Sequence, residues 1–320
     1  MGQLARTVSP VVRTLIGAGL LAYLWNSGAL DWSALAGLAR AWPLSLSAVA
    51  LLLLIVVLTS WRLCVLLEPH GLRIGLGSSM RLTLVGAFFN TFLPGTTGGD
   101  LVRAWYGMAS LPGRRTEFAA GMLLDRAVGL LALLLWPLLA APLFVGLLGS
   151  TGALRDLLGA AAVVSALLLS GLLIGSVIAA RQSRPAGWGF RALPLGDYAR
   201  RALEAISTYR KNKASLAAAL VMSLTVQTME VAVMLLLVQA TASGGARWAM
   251  AILIPLGFLV NALPLTPGGL GVGEVAFDRL FALAGLSGGA EALLAWRILT
   301  TLIDVWGLAF YLQGPRPLRT

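Results

Sequence analysis

Phe88-Phe89-Asn90-Thr91-Phe92-Leu93-Pro94-Gly95-Thr96-Thr97-Gly98-Gly99-Asp100-Leu101-Val102-Arg103 is one of two stretches in which an apolar run is broken by proline and glycine. The other is Phe258-Leu259-Val260-Asn261-Ala262-Leu263-Pro264-Leu265-Thr266-Pro267-Gly268-Gly269-Leu270-Gly271-Val272-Gly273-Glu274. Each carries an asparagine, then Pro-Gly, then further glycines, then a carboxylate. A helix broken inside a bilayer frees backbone groups that lipid cannot satisfy, so it persists only where protein or a wet cavity surrounds it. A matched pair of such breaks, one per half of the chain, points to the binding site of a transporter.

The surroundings of both stretches are those of a membrane protein. Hydrophobic residues make up 58% of the 320-residue chain and charged residues 12%, against about a quarter charged in a soluble domain; mean hydropathy is +0.86. Apolar runs long enough to cross a bilayer are expected at 10–27, 43–67, 117–149, 157–180, 214–240 and 290–312, with the broken segments at 78–110 and 248–286. Pro137 and Pro142 are expected to kink or end the over-long 117–149 run. The opening run lacks a small-residue cleavage pattern and reads as an anchor, not a removed signal peptide.

The formal charge of +11 does not point to nucleic acid, because the basic residues sit in loops beside apolar runs, as in cytoplasmic loops facing anionic headgroups. Arg6, Arg13, Arg62, Arg73, Arg81, the Arg114-Arg115 pair, the basic stretch 181–213 and Arg316 with Arg319 are all assigned to the cytoplasmic face. This gives cytoplasmic N- and C-termini and about six full spans. The first broken segment has basic residues on both flanks and is expected to enter from the cytoplasm and return there. Loops 241–247 and 286–290 carry only Arg247, so the second segment is expected to enter from the opposite face. The expected fold is therefore an all-α polytopic membrane domain with two oppositely oriented re-entrant helical hairpins. Its inverted repeat comprises 43–180 and 214–312, joined by a basic cytoplasmic connector at 181–213. Within 194–212, Tyr198, Ala202, Ile206 and Tyr209 share a helical face, which reads as an interfacial amphipathic helix or as a solvated connector.

The candidate site residues belong to these breaks and to charges within the spans. The turns Thr96-Thr97-Gly98-Gly99 and Gly268-Gly269-Leu270-Gly271 let backbone N–H groups converge at a half-helix start, a pocket suited to phosphate. Asn90 and Asn261 precede them. For Asp100 and Glu274 two roles stand, helix capping and contact with substrate or a coupling proton. Arg103, three residues after Asp100, is placed to pair with it or to meet a phosphate bidentately. Asp125, Arg126, Glu230, Arg297 and Asp304 also fall inside spans, where ionisable residues face the protein interior and are functional by default. Asp125, Glu230 and Asp304 have Arg126, Arg297 and Arg103 as available counter-ions, in combinations that remain open. Glu230 stands out because no basic residue lies within a helical turn of it.

Enzymatic signatures are absent. One histidine (His70) and one cysteine (Cys64) leave no imidazole or thiolate cluster for a metal, no catalytic triad and no internal disulfide. There is no Gly-x-x-x-x-Gly-Lys phosphate loop. The expectation is a non-enzyme without metal or cofactor. Trp25, Trp32, Trp42, Trp61, Trp188 and Trp248 read as interfacial anchors.

The pattern Asn90-x-x-Leu93-Pro94-Gly95-x-x-Gly98-Gly99-Asp100-x-x-Arg103, followed by Pro267-Gly268-Gly269-Leu270-Gly271-x-x-Glu274, resembles the flippase-like membrane domain of lysylphosphatidylglycerol synthase. The resemblance spans roughly residues 10–312 and includes Asp125-Arg126-x-x-Gly129 and the Arg297 region. Multidomain members carry an aminoacyl-transfer domain after the membrane domain. The chain ending at Thr320 lacks it, so lysyl transfer is not carried over and a free-standing membrane domain is expected. The resemblance implies a bacterial inner-membrane lipid translocase that moves a phospholipid or lipid-linked headgroup between leaflets. Its expected partners are that lipid, the membrane, a lipid-synthesising enzyme and a second copy of the chain, with no nucleic acid. The alternatives are a secondary transporter of a small polar solute and a non-transporting scaffold for a lipid-modifying enzyme.

Overall fold

The computed structural model describes residues 37–91, 93, 98–111, 113–144, 152, 156, 158–167, 169–171, 212–241, 249–262, 270–283 and 285–314. All regular structure among them is helical. The principal helices among the described residues are α1 (Trp42–Leu67), α2 (Leu76–Asn90), α3 (Gly98–Ser110), α4 (Arg115–Ala140), α5 (Lys213–Thr241), α6 (Met250–Asn261), α7 (Val272–Leu283), α8 (Gly289–Asp304) and α9 (Trp306–Leu312). Among the described residues, four segments are long and apolar enough to cross a bilayer: Trp42–His70, Arg115–Ala140, Lys213–Ala240 and Gly289–Leu312. They coincide with four of the six expected spans. The span at 10–27 and the amphipathic stretch at 194–212 lie outside the described residues, and of the span at 157–180 residues 158–167 are helical.

Local chemistry explains the element ends. Pro43 occupies the first turn of α1, where its missing N–H is harmless. The Glu68–His70 turn with Pro69 closes α1. α4 runs through Pro137 and ends at the Ala141–Phe144 turn that contains Pro142. The last span is interrupted at Val305, so α8 and α9 are separate pieces.

The four helices α2, α3, α6 and α7 have 15, 13, 12 and 12 residues. At 1.5 Å per residue these are about 18–23 Å long, short of the roughly 30 Å hydrocarbon core. They pack as two pairs, α2 on α3 and α6 on α7. The start of α2 and the end of α3 lie together, since Leu72 and Leu111 share one apolar cluster and Arg114 donates to the His70 carbonyl. Likewise Ala249 and Leu253 at the start of α6 cluster with Leu280 and Leu283 of α7.

α4 connects the two pairs. Its first turn seats the Phe118 ring on Gly107 in the last turn of α3, at the open end of α2–α3. Its last turns bring Leu134 and Ala140 into the cluster at the open end of α6–α7, where Trp136 Nε1 donates to the Ala251 carbonyl at 3.1 Å. The last span runs the other way. Asp278 of α7 accepts the Ala290 N–H at 2.8 Å at the start of α8, whereas Tyr106 of α3 donates to the Tyr311 carbonyl at 3.2 Å near the end of α9. The largest core joins α1, α5 and α8 through residues such as Leu52, Met234, Leu237 and Ile298. Leu53, Leu54, Leu123, Val221 and Leu302 stand exposed. For helices of this length these outward faces suit lipid.

Candidate functional site

The break in each pair is held by an asparagine. Asn90, the last residue of α2, accepts the Gly99 N–H at 2.7 Å and so caps α3 from the neighbouring helix. Gly99 allows the approach, because a Cβ there would collide with the Gly86 carbonyl oxygen and lie 2.7 Å from the Asn90 nitrogen. In the second pair Asn261, last residue of α6, accepts from Arg297 Nη2 at 2.7 Å, and a Cβ on Gly273 would overlap its Oδ1.

Each pair is also clasped by an ion pair to the long helix that follows it. Asp100 meets Arg126 of α4 at 3.2 Å, and Glu274 meets Arg297 of α8 at 2.9 Å. Glu274 takes the capping role and adds an ion pair to it. Its Oε2 accepts the Gly271 N–H at 2.7 Å as a capping box while its Oε1 holds Arg297. Gly271 adopts φ 82°, a left-handed conformation that favours glycine.

The residue preceding the clasp arginine differs between the halves. In the first it is Asp125, which accepts from Arg62 Nε of α1 at 2.7 Å and lies 3.5 Å from Arg103 Nη1. Arg62 Nη1 continues to Ser223 of α5 at 2.8 Å. Arg62, Arg103 and Asp125 are all buried. In the second half the equivalent residue is Trp296, whose Nε1 donates to Glu230 of α5 at 3.0 Å. Both partners, Arg62 and Glu230, come from the long helix preceding the broken pair. The donor and the acceptor have exchanged sides.

The structure thus gathers the expected residues into two sets. Asn90, Gly98, Gly99, Asp100, Arg103, Asp125 and Arg126 belong to the first; Asn261, Gly271, Glu274, Arg297 and Glu230 belong to the second. Asp304 ends α8, and no ion pair to it or to Glu230 occurs among the described residues. Thr96, Thr97, Gly268 and Gly269 lie outside the described residues. Two expectations are corrected. Asp100 pairs with Arg126, not with Arg103 three residues on, because α4 packs across α3 and offers the closer cation. Arg62, counted with the cytoplasmic loop charges, is buried in the interior, where Asp125 compensates it. Of the turn amides, those of Gly99 and Gly271 each have a side-chain acceptor. Arg62 and Trp296 were not anticipated as members of the site. The place of Arg62 within the 43–67 apolar run was the available signal.

Against known families, the chain matches the model described as lysylphosphatidylglycerol synthase TM region over residues 11–307. No curated protein and no solved structure matches it.

Proposed function

Since the chain belongs to the lysylphosphatidylglycerol synthase TM-region family, and is accordingly a multi-pass membrane protein linked to lipid metabolism, we propose that it is a lipid translocase. It moves a phospholipid or lipid-linked headgroup between the leaflets of the bacterial inner membrane and performs no covalent chemistry. The two broken helix pairs act as re-entrant hairpins of opposite sense, the halves of an inverted repeat with the termini in the cytoplasm. The observation carrying this reading is the course of α4, from the open end of α2–α3 to the open end of α6–α7. A spanning helix with one pair opening at each of its ends supports hairpins that enter from opposite faces. Such an arrangement provides two symmetry-related states for alternating access.

The charges that clasp the breaks lie part-buried along that helix and along α8, where a headgroup would pass while its acyl chains remain in lipid. Glu230, held by one indole N–H, is the group available for an ammonium or a coupling proton.

The test is reconstitution of the full chain in vesicles with trace fluorescent phospholipids, and measurement of the fraction that becomes accessible to an impermeant quencher. Wild type is expected to expose inner-leaflet lipid faster than empty vesicles, and Glu274→Gln, which keeps a cap acceptor but loses the Arg297 ion pair, to slow this. No movement of any lipid across a panel of anionic, zwitterionic and glycosylated headgroups would refute the reading.

A further inference from the structure

The two halves share a scaffold but not a charge balance. Around the first break, Arg62, Arg103 and Arg126 face Asp100 and Asp125, leaving one guanidinium in excess among the described residues. The charged groups acting on Arg103 among the described residues are these same four. The turn between α2 and α3 cannot neutralise the excess, since Pro94, Gly95, Thr96 and Thr97 carry no charge. Arg103 is 4% exposed. Its one ion-pair contact, to Asp125, is long at 3.5 Å. Its Nε and Nη2 atoms, two of the three nitrogens of the fork, have no hydrogen-bond partner among the described residues. Buried polar groups are normally satisfied, and a buried uncompensated cation is costly. In the second half the formal excess among the described residues is of the opposite sign, because Glu230 and Trp296 stand where the first half has Arg62 and Asp125.

We propose that the Arg103 guanidinium is the docking point of an anionic, phosphate-class group, received at the first break and not at the second. Its free Nε–H and Nη2–H donate side by side to two oxygens of one phosphate, the bidentate geometry for which arginine is suited. Asp125, itself fixed by Arg62, holds the fork at Nη1, and the anion supplies the missing negative charge. This deepens the translocase reading, on which its lipid form rests, by assigning the phosphate of the headgroup to one hairpin. The same chemistry fits a free phosphate.

The experiment uses the full chain in a phosphate-free maltoside detergent, with two probes, dihexanoyl phosphatidylglycerol and inorganic phosphate, and follows binding by phosphorus NMR line broadening. The short-chain lipid is expected to bind saturably, with affinity reduced about tenfold or more in Arg103→Gln, the loss of hydrogen bonds to a charged group. Arg103→Lys, which keeps the charge without the fork, is expected to fall between, and Arg81→Gln, which alters a cation stacked on Phe310 away from the cluster, to bind as wild type. Arg103→Gln that elutes and melts like wild type and binds equally well overturns the proposal. If Arg103→Gln does not fold, Arg103→Lys decides, and undiminished binding by it counts against bidentate docking. Binding of inorganic phosphate without the lipid upholds the anion site and sinks the translocase reading. Binding of neither probe by protein that still moves lipid between leaflets overturns the anion site alone.

Discussion

Replacing Asp125 with asparagine leaves two guanidinium groups without the carboxylate they share. Asp125 is 4% exposed and Arg62 8%, and the Arg62 Nε to Asp125 Oδ1 distance is 2.7 Å. Removing one partner of a buried pair costs about 3–5 kcal/mol, because the other charge stays buried and uncompensated. The upper part of that range is expected for Asp125→Asn, since it raises the local excess from one positive charge to two. Arg62→Gln lowers the same excess to zero and leaves Asp125 with Arg103 at 3.5 Å. Its cost is that of lost hydrogen bonds to charged groups, about 1.5–3 kcal/mol. The double variant restores the original excess, so its cost should fall short of the sum by about 1–3 kcal/mol. Denaturation of the full chain in mixed detergent micelles, followed by helical signal, measures all three. If Asp125→Asn is no more damaging than Arg62→Gln, or if the two costs simply add, the buried charge count is wrong.

The glycines at the breaks should separate stability from transport. Gly99→Ala drives a methyl into the Gly86 carbonyl oxygen, part of a backbone that cannot turn aside. Overpacking of about 1–3 kcal/mol then adds to a strained Asn90 cap, and a lowered melting temperature in detergent is the expected readout. Gly273→Ala meets the Asn261 and Arg297 side chains, so the vesicle assay should slow more than the melting temperature falls. Trp296→Phe keeps the ring packed near Phe258, at a centroid distance of 4.9 Å, but removes the indole N–H, the one donor to Glu230 among the described residues. It should cost about 0.5–1.5 kcal/mol in stability and impair lipid movement more than Phe258→Leu does. Equal effects of the two would place the role of Trp296 in packing alone.

The sequence by itself determined the membrane class, the positions of four spanning helices and the existence of both breaks. Each rests on a local property. An apolar run of sufficient length spans 43–67, 214–240 or 290–312 whatever surrounds it, and Pro94-Gly95 or Pro267-Gly268 interrupts a helix wherever it sits. Loop charge also sets out the expectation that the two breaks open to opposite faces. Tertiary structure decided the pairing of the charges. Spacing along one helix offers Asp100 the neighbour Arg103, but packing of α4 across α3 delivers Arg126 instead, and turns Arg103 toward Asp125. Arg62 enters the same cluster from a helix whose sequence distance from Asp125 carries no hint of contact. Only the fold, too, places Trp296 against Glu230 where the other half sets Asp125 against Arg62. In a low-dielectric interior the partner of a charge is whatever packing brings within a few ångströms. That distance is a property of the assembled helices and not of their order along the chain.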